Sequence, residues 1–357
     1  MATELSIESA GRIPTLDGWR GIAILLVLVD HLQLMLFSGP YGNHRWMLCG
    51  QHGVTLFFVL SGYLITSRLL MEERIDLKAF YIRRFFRLMP CAWLYLLALG
   101  VVSLIAHRAF IGRDVWSCVF FFRNYYPSVE TAVNMRTGHF WSLSLEEQFY
   151  LAWPPLLALL GRKRSLHLAI AGIGGCAIFR YIHWQQYVGP LVHLRTEVRI
   201  DALLFGCGFA LLLKHTQLRD WLADKSAWIV LSSLPLIIWY VFNNQSLIPA
   251  GESALLATMI VCTSLNPSFP LFRVLEWRPL KFLGLISYSL YVWQQGMLFI
   301  NHGEPYGALF LPLVGILAYG LIERPCIRLG RRIVTAVRST ATAAVLNVGC
   351  GAAQNAE

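Results

Sequence analysis

Apolar runs long enough to cross a bilayer follow one another from Gly21 to Ile322, and they leave this chain one way to fold. Hydrocarbon offers backbone N–H and C=O groups no partner, so each run must close its own hydrogen bonds as a helix. At about 20 residues per span, candidates fall at 21–37, 53–70, 88–106, 140–160, 166–182, 201–213, 228–242, 247–265, 282–300 and 307–322. The run 115–122 is too short to span and reads as an interfacial piece. The predicted fold is therefore all-α: a polytopic membrane protein of about ten transmembrane helices. With 56% hydrophobic and only 14% charged residues, and a mean hydropathy of +0.54, no stretch inside those runs reads as a separate soluble domain. Segment 1–15 reads as a cytoplasmic N-terminal piece, 16–325 as the membrane domain, and 326–357 as a basic, then small-residue, disordered tail. The first run carries ionisable residues and lacks a basic region before it, so it is expected to be a retained span rather than a cleaved signal peptide.

The net charge of +10 invites a nucleic-acid reading, but the positions of the charges argue for topology. With the N-terminus cytoplasmic, the inner loops collect Arg12, Arg20, Arg68, Arg74, Lys78, Arg83, Arg84, Arg87, Arg162, Lys163, Arg164, Lys214, Arg219 and Lys225. They also take Arg273, Arg278, Lys281 and the tail arginines, while the outer side keeps Arg45, Arg108, Arg113, Arg123, Arg136, Arg180, Arg195 and Arg199. That bias places both termini in the cytoplasm of a plasma or bacterial inner membrane and makes the bilayer, not nucleic acid, the partner. The eight cysteines are scattered without a CxxC pair, and the histidines show no metal-ligand spacing.

Chemistry is concentrated in four places. The first apolar run, LDGWRGIAILLVLVDHL, holds Arg20 near its start and Asp30–His31 deep inside. Ionisable groups at that depth cost about 2.5–3.5 kcal/mol each on insertion scales and are usually put to use. Arg20 and His31 are about three helical turns apart on one face, roughly 16 Å along the axis. Asp30 points elsewhere and needs a partner on another helix; a buried polar pair that fixes packing is the plain alternative to catalysis or ion coupling. The basic segment RRFFRLMP sets Arg84 and Arg87 three apart, suited to the phosphates of a cytosolic anion, with anionic-lipid anchoring as the alternative. The segment WSLSLEEQFYLAWP carries Glu146 and Glu147 beside a polar stripe, able to orient or charge an imidazole or merely to reach the outer interface. At the outer end of another run, Arg199 and Asp201 either pair with each other or bind a substrate hydroxyl. His139 precedes the Glu146 segment and is placed to touch an external substrate.

The segments LDGWRGIAILLVLVDH, GVTLFFVLSGYLIT, RRFFRLMP, FFRNYY, WSLSLEEQFYLAWP, RIDALLFG, ISYSLYVW and IERP occur in an order that resembles the acyltransferase-3 family, over about 16–325. These are multi-pass bacterial O-acyltransferases that acetylate sugars of surface polysaccharides, peptidoglycan or antibiotics. The resemblance implies a ten-helix membrane domain and no bound cofactor, with acetyl-CoA or another acyl-CoA as donor substrate and a glycan or lipid-linked sugar as acceptor. It places the catalytic base or acyl relay at His31, with Asp30, Glu146 and Glu147 beside it. Donor contacts fall on Arg20, Arg84, Arg87 and the Ser61–Gly62 pair, and acceptor-side contacts on Asn124, Trp141, Arg199 and Asp201. Many members have a histidine where this chain has Gln294. No appended esterase-like domain follows the membrane domain in this sequence, which leaves acyl delivery to a separate partner enzyme as one reading. A proton-coupled secondary transporter is the alternative from another class, although no internal repeat supports it.

Overall fold

The computed structural model describes residues 13–37, 49–107, 112–126, 134–183, 194–243, 249–298 and 306–354. Glu4, Glu8, Arg12, His44, Arg45, Arg108, His193 and His302 lie outside the described residues. The principal helices are α1 (Pro14–Phe37), α2 (Gly50–Leu69), α3 (Leu77–Ile105), α4 (Gly112–Val119), α5 (Phe140–His183) and α6 (Asp201–Leu212). After them come α7 (Thr216–Asn243), α8 (Pro249–Leu265), α9 (Arg278–Leu298), α10 (Tyr306–Ala318) and α11 (Arg324–Gln354). No strand occurs among the described residues. Helix α5 is two segments, because Gly161 adopts φ 67° and ψ 176°, a conformation that glycine tolerates without strain. Its halves coincide with the candidate runs 140–160 and 166–182.

Every candidate run falls on a helix, yet only some have the length and composition of a lipid-facing span. Among the described residues, Leu77–Ile105, Phe140–His183, Thr216–Val241 and Gly307–Ser339 are long and apolar enough to cross a membrane. Ala250–Leu265 with Pro270–Glu276, bent by 99°, makes a fifth if the pair counts as one span. The runs that fall short do so for a structural reason. Helices α1, α2, α6 and α9 form the centre of the bundle: α2 packs on α6 and on α1, and α1 packs on α9. Their interior faces carry polar residues such as Asp17, His52, Thr66, Ser287, Ser289 and Gln295 among buried apolar ones. This is a membrane protein whose central helices bury polar side chains among their apolar ones.

Glycine makes that centre close-packed. A Cβ on Gly284 of α9 would stand 1.9 Å from the Asp17 carbonyl oxygen of α1, and one on Gly62 of α2 would stand 2.0 Å from that of Leu203 on α6. Backbone approach of this kind binds membrane helices through van der Waals contact, since burial alone gives them little advantage over lipid.

Helix α3 begins eleven residues before the apolar run that defines it in the sequence, so Arg83, Arg84 and Arg87 are helical rather than part of a loop. Asp76 caps it, accepting from the Ala79 N–H at 2.9 Å, and also receives Arg338 of α11 at 3.1 Å. That capping bond and, after it, the guanidinium hold the Asp76 carboxyl below its ordinary range. The expected disordered tail is corrected here: the chain continues as α11 to Gln354. Its alanine-rich sequence favours helix once started, and Arg338 ties it back to α3. A π-helical turn, Tyr319–Glu323, joins α10 to α11.

Candidate active site

Two cavities that share residues run into one end of the bundle. The larger, about 780 Å³, is lined by Arg20, Arg68, Arg83, Arg84, Arg87, Lys214, Arg219, Arg324 and Arg331, with Asp17, Glu72 and Glu323 as its acids. The smaller, about 70 Å³, lies among Arg20, Arg84, Arg87, Ser61, Ser142, Glu146, Tyr150, Ser287 and Tyr291. Arg20, Arg84 and Arg87 line both. The structure therefore brings together the cation at the start of α1 and the pair on α3.

At the junction the arginines meet a carboxylate. Glu146 Oε1 accepts from Ser61 Oγ at 3.0 Å, and its Oε2 accepts from the Tyr150 hydroxyl at 2.9 Å. That hydroxyl also lies 3.1 Å from Ser61 Oγ. The Arg84 guanidinium stacks 4.1 Å from the Tyr150 ring centroid, a cation–π contact that fixes its plane beside the carboxylate. Arg20 keeps Asp17 at 3.8 Å. Glu147, one residue on and about 100° round the helix, is buried and lines neither cavity. Gly62 likewise lines neither, being occupied by the α2–α6 contact.

His31 lies beyond the smaller cavity. Its Nδ1 is 2.9 Å from the Val27 carbonyl, which places the ring proton on Nδ1 and leaves Nε2 as the basic nitrogen. Nε2 in turn stands 3.1 Å from Gln295 Nε2. Tyr291, one turn before Gln295 on α9, bonds to Ser142 at 2.5 Å and lines the smaller cavity. The two places are thus connected along one face of α9. Asp30 takes the other direction that helical geometry demands. Its carboxylate lies against Gly50, where an added Cβ would be 2.7 Å from Oδ2, at the N-terminus of α2. An anion is favoured there by the exposed N–H groups and the helix dipole.

The acceptor-side residues are held in separate contacts. Asp201 pairs with Arg180 at 2.7 Å, not with Arg199: the end of α5 delivers a guanidinium to the carboxylate that its near neighbour in sequence does not reach. Arg199 is instead partly buried with its guanidinium 5.8 Å from the Trp141 ring. Asn124 is fully buried, donating to Thr196 at 2.9 Å and accepting from Gln148 at 3.0 Å. His139, expected at an external surface, is 2% exposed and lies between Gln295 and the Val292 carbonyl.

Three residues escape the sequence reading. Glu323, in the π-helical turn, is buried, accepts from Ser289 at 2.6 Å and lines the larger cavity; its sequence signal is its place in the IERP segment at the end of an apolar run. Tyr150 sits in the polar stripe with Glu146. Gln295 adjoins the Gln294 that replaces the expected histidine, and its importance lies in contacts far apart in sequence. Gln294 itself is buried with neither amide atom hydrogen-bonded among the described residues.

A bundle of apolar helices encloses buried polar groups and an arginine-lined cavity, with the part-buried His31 farther along α1. The chain belongs to the acyltransferase-3 family: the family model described as "Acyltransferase domain" matches residues 13–303. It is 28% identical over 313 residues to the peptidoglycan O-acetyltransferase OatA of Listeria monocytogenes, a match covering 79% of this chain and 48% of that protein. It is 29% identical over 329 residues to a Bacillus subtilis protein named "Putative peptidoglycan O-acetyltransferase YrhL", covering 81% and 49%. A Staphylococcus aureus strain COL protein named as an O-acetyltransferase of the same provisional kind is 29% identical over 320 residues, covering 81% and 51%. The chain spans about half the length of these curated relatives. No solved structure matches it.

Proposed function

We propose that the protein is a multi-pass inner-membrane O-acyltransferase that takes an acetyl group from cytosolic acetyl-CoA and passes it to a sugar hydroxyl of a cell-envelope glycan. Ten spans with both termini in the cytoplasm suit this reading, since the Lys/Arg bias then puts the basic cavity on the side where acyl-CoA resides. The observation that carries it is the continuity of the two cavities through Arg20, Arg84 and Arg87. Guanidiniums bind phosphates through paired N–H groups, and the narrow inner cavity admits the thin acyl-bearing arm.

In this mechanism His31 Nε2 removes the proton from the acceptor hydroxyl, whose oxygen attacks the thioester carbonyl. Arg20, with Arg84 and Arg87, faces the donor's phosphates. Glu146 holds Ser61 and Tyr150 in register. The peptidoglycan named for the Listeria and Bacillus relatives makes a glycan acceptor the leading class for this chain. Delivery of the acyl group to a separate envelope enzyme is the second form of the same chemistry.

The test is kinetic. Replacing Arg84 and Arg87 by Ala is expected to raise KM for acetyl-CoA by tenfold or more, with the acceptor KM within about twofold; each lost charged contact is worth about 1.5–3 kcal/mol. An unchanged donor KM would return these arginines to lipid anchoring. Purified protein that consumes no acetyl-CoA but moves protons would favour the transporter.

A further inference from the structure

The cations of the larger cavity fall into two groups. Arg20, Arg84 and Arg87 also line the inner cavity, whereas those from the ends of α2 and α6, from α7 and from α11 line the larger one alone. Nine cations share this space with three acids, and each acid already has a partner. Asp17 faces Arg20 at 3.8 Å, Glu72 takes Arg83 at 3.3 Å, and Glu323 accepts from Ser289 at 2.6 Å. Lys214 donates to the Leu70 carbonyl at 3.3 Å. Arg219 of α7 and Arg331 of α11 meet no acid among the described residues.

The packing of α11 explains how Arg331 arrives there. The helix runs antiparallel to the first half of α3: a Cβ on Gly330 would stand 2.8 Å from Phe86 Cβ, and Arg338 reaches Asp76 at 3.1 Å. Arg331, next to Gly330, is thereby brought to the turn of α3 that carries Arg84 and Arg87, yet it lines only the larger cavity. Arg219, in the first turn of α7, joins the same cavity from a different helix. Guanidiniums gathered in one space without counter-charge repel one another. An anion with phosphates at more than one place relieves that repulsion, and a cavity of about 780 Å³ is of small-molecule size.

Coenzyme A carries phosphate at two places. A pyrophosphate joins its thioester-bearing arm to the ribose 5′ position, and a phosphomonoester sits on the ribose 3′ oxygen. With the arm directed into the inner cavity, the pyrophosphate meets Arg20, Arg84 and Arg87. The monoester is left to the cations that line the larger cavity alone. Such a group carries about −1.5 to −2 charge at neutral pH, which two guanidiniums match.

We propose that Arg219 and Arg331 form a second anion site that takes the ribose 3′-phosphate of acetyl-CoA, so that the protein selects the 3′-phosphorylated coenzyme over its dephospho form. This rests on the acyltransferase reading with acetyl-CoA as donor. An anionic lipid headgroup offers the same phosphate chemistry, and lipid composition separates the two sources.

The test is equilibrium binding of radiolabelled acetyl-CoA to the full chain in phosphatidylcholine nanodiscs, with unlabelled CoA and dephospho-CoA as competitors. Wild type is expected to bind dephospho-CoA about tenfold or more weakly than CoA. In the double variant Arg219→Ala/Arg331→Ala, CoA is expected to weaken by about the same factor while dephospho-CoA changes less than about threefold, so the preference disappears. Arg84→Ala/Arg87→Ala should instead weaken both forms alike and keep their ratio, because the pyrophosphate is common to both. Equal binding of the two forms by wild type, or an Arg219→Ala/Arg331→Ala variant that keeps the full preference, would overturn the inference. A wild-type preference that vanishes in nanodiscs containing phosphatidylglycerol would also overturn it, by assigning the site to lipid headgroups. Both substitutions fall at exposed positions, and the wild-type comparison needs no variant. A wild type that binds neither form would instead sink the acetyl-CoA reading beneath the inference.

Discussion

At the scale of single residues, the carboxylate of the inner cavity is held by named partners. Glu146 receives two hydroxyls in a cavity whose other charges are Arg20, Arg84 and Arg87. Glu146→Gln keeps the shape but turns an amide NH2 towards one of those hydroxyls and removes the charge opposite the arginines. With charge-assisted bonds worth about 1.5–3 kcal/mol, kcat/KM for acetyl transfer is expected to fall about 10- to 100-fold at unchanged expression. Activity within twofold of wild type would show that Glu146 only packs the helix. The sequence revealed Glu146 and Arg84 as a stripe and a spacing, because partners three or four residues apart follow from helix geometry. Gln295 was not legible, since its two contacts, His31 and His139, lie 264 and 156 positions away. The Asp201 pairing misled for the same reason: proximity in sequence suggested Arg199, and folding supplied Arg180.

At the scale of elements, hydropathy located the helices from α1 to α10 but not their ends. Helix α3 starts at Leu77 because Asp76 caps it, a signal that lies outside the apolar run. Asp76→Ala is expected to destabilise the protein by about 0.5–2 kcal/mol, measured by thermal unfolding in detergent. The capping bond and Arg338 lower the Asp76 folded value beneath the ordinary 3.8. The stabilisation is therefore complete above that ordinary value and is lost as pH falls through the lower, folded one. The gap between variant and wild type should persist at neutral pH and close in acid; a gap that widens in acid would contradict the assignment. The continuation of α11 to Gln354 escaped the sequence reading because small-residue composition fits a loose tail as readily as a helix.

For the whole molecule, the notable arrangement is that polar side chains are buried among the apolar ones of its central helices. Hydropathy ranks α1, α2, α6 and α9 with the other runs and does not reveal which face each other. The close glycine contacts decide that, and they do so between backbones. The result is a polar core that meets an arginine-lined cavity. A polyanionic donor with a reactive arm suits such a core, and its binding should weaken with salt more than acceptor binding does. The central claim is that this core carries an acetyl group from acetyl-CoA to an envelope glycan by way of His31. The most direct measurement follows radiolabel from acetyl-CoA in membranes of expressing cells, wild type against His31→Ala at matched protein level. The account predicts label in a glycan or lipid-linked fraction with wild type and none above background with the variant. Equal labelling in both would contradict the role of His31, and no labelling in either, with native glycans present, would contradict the transfer itself.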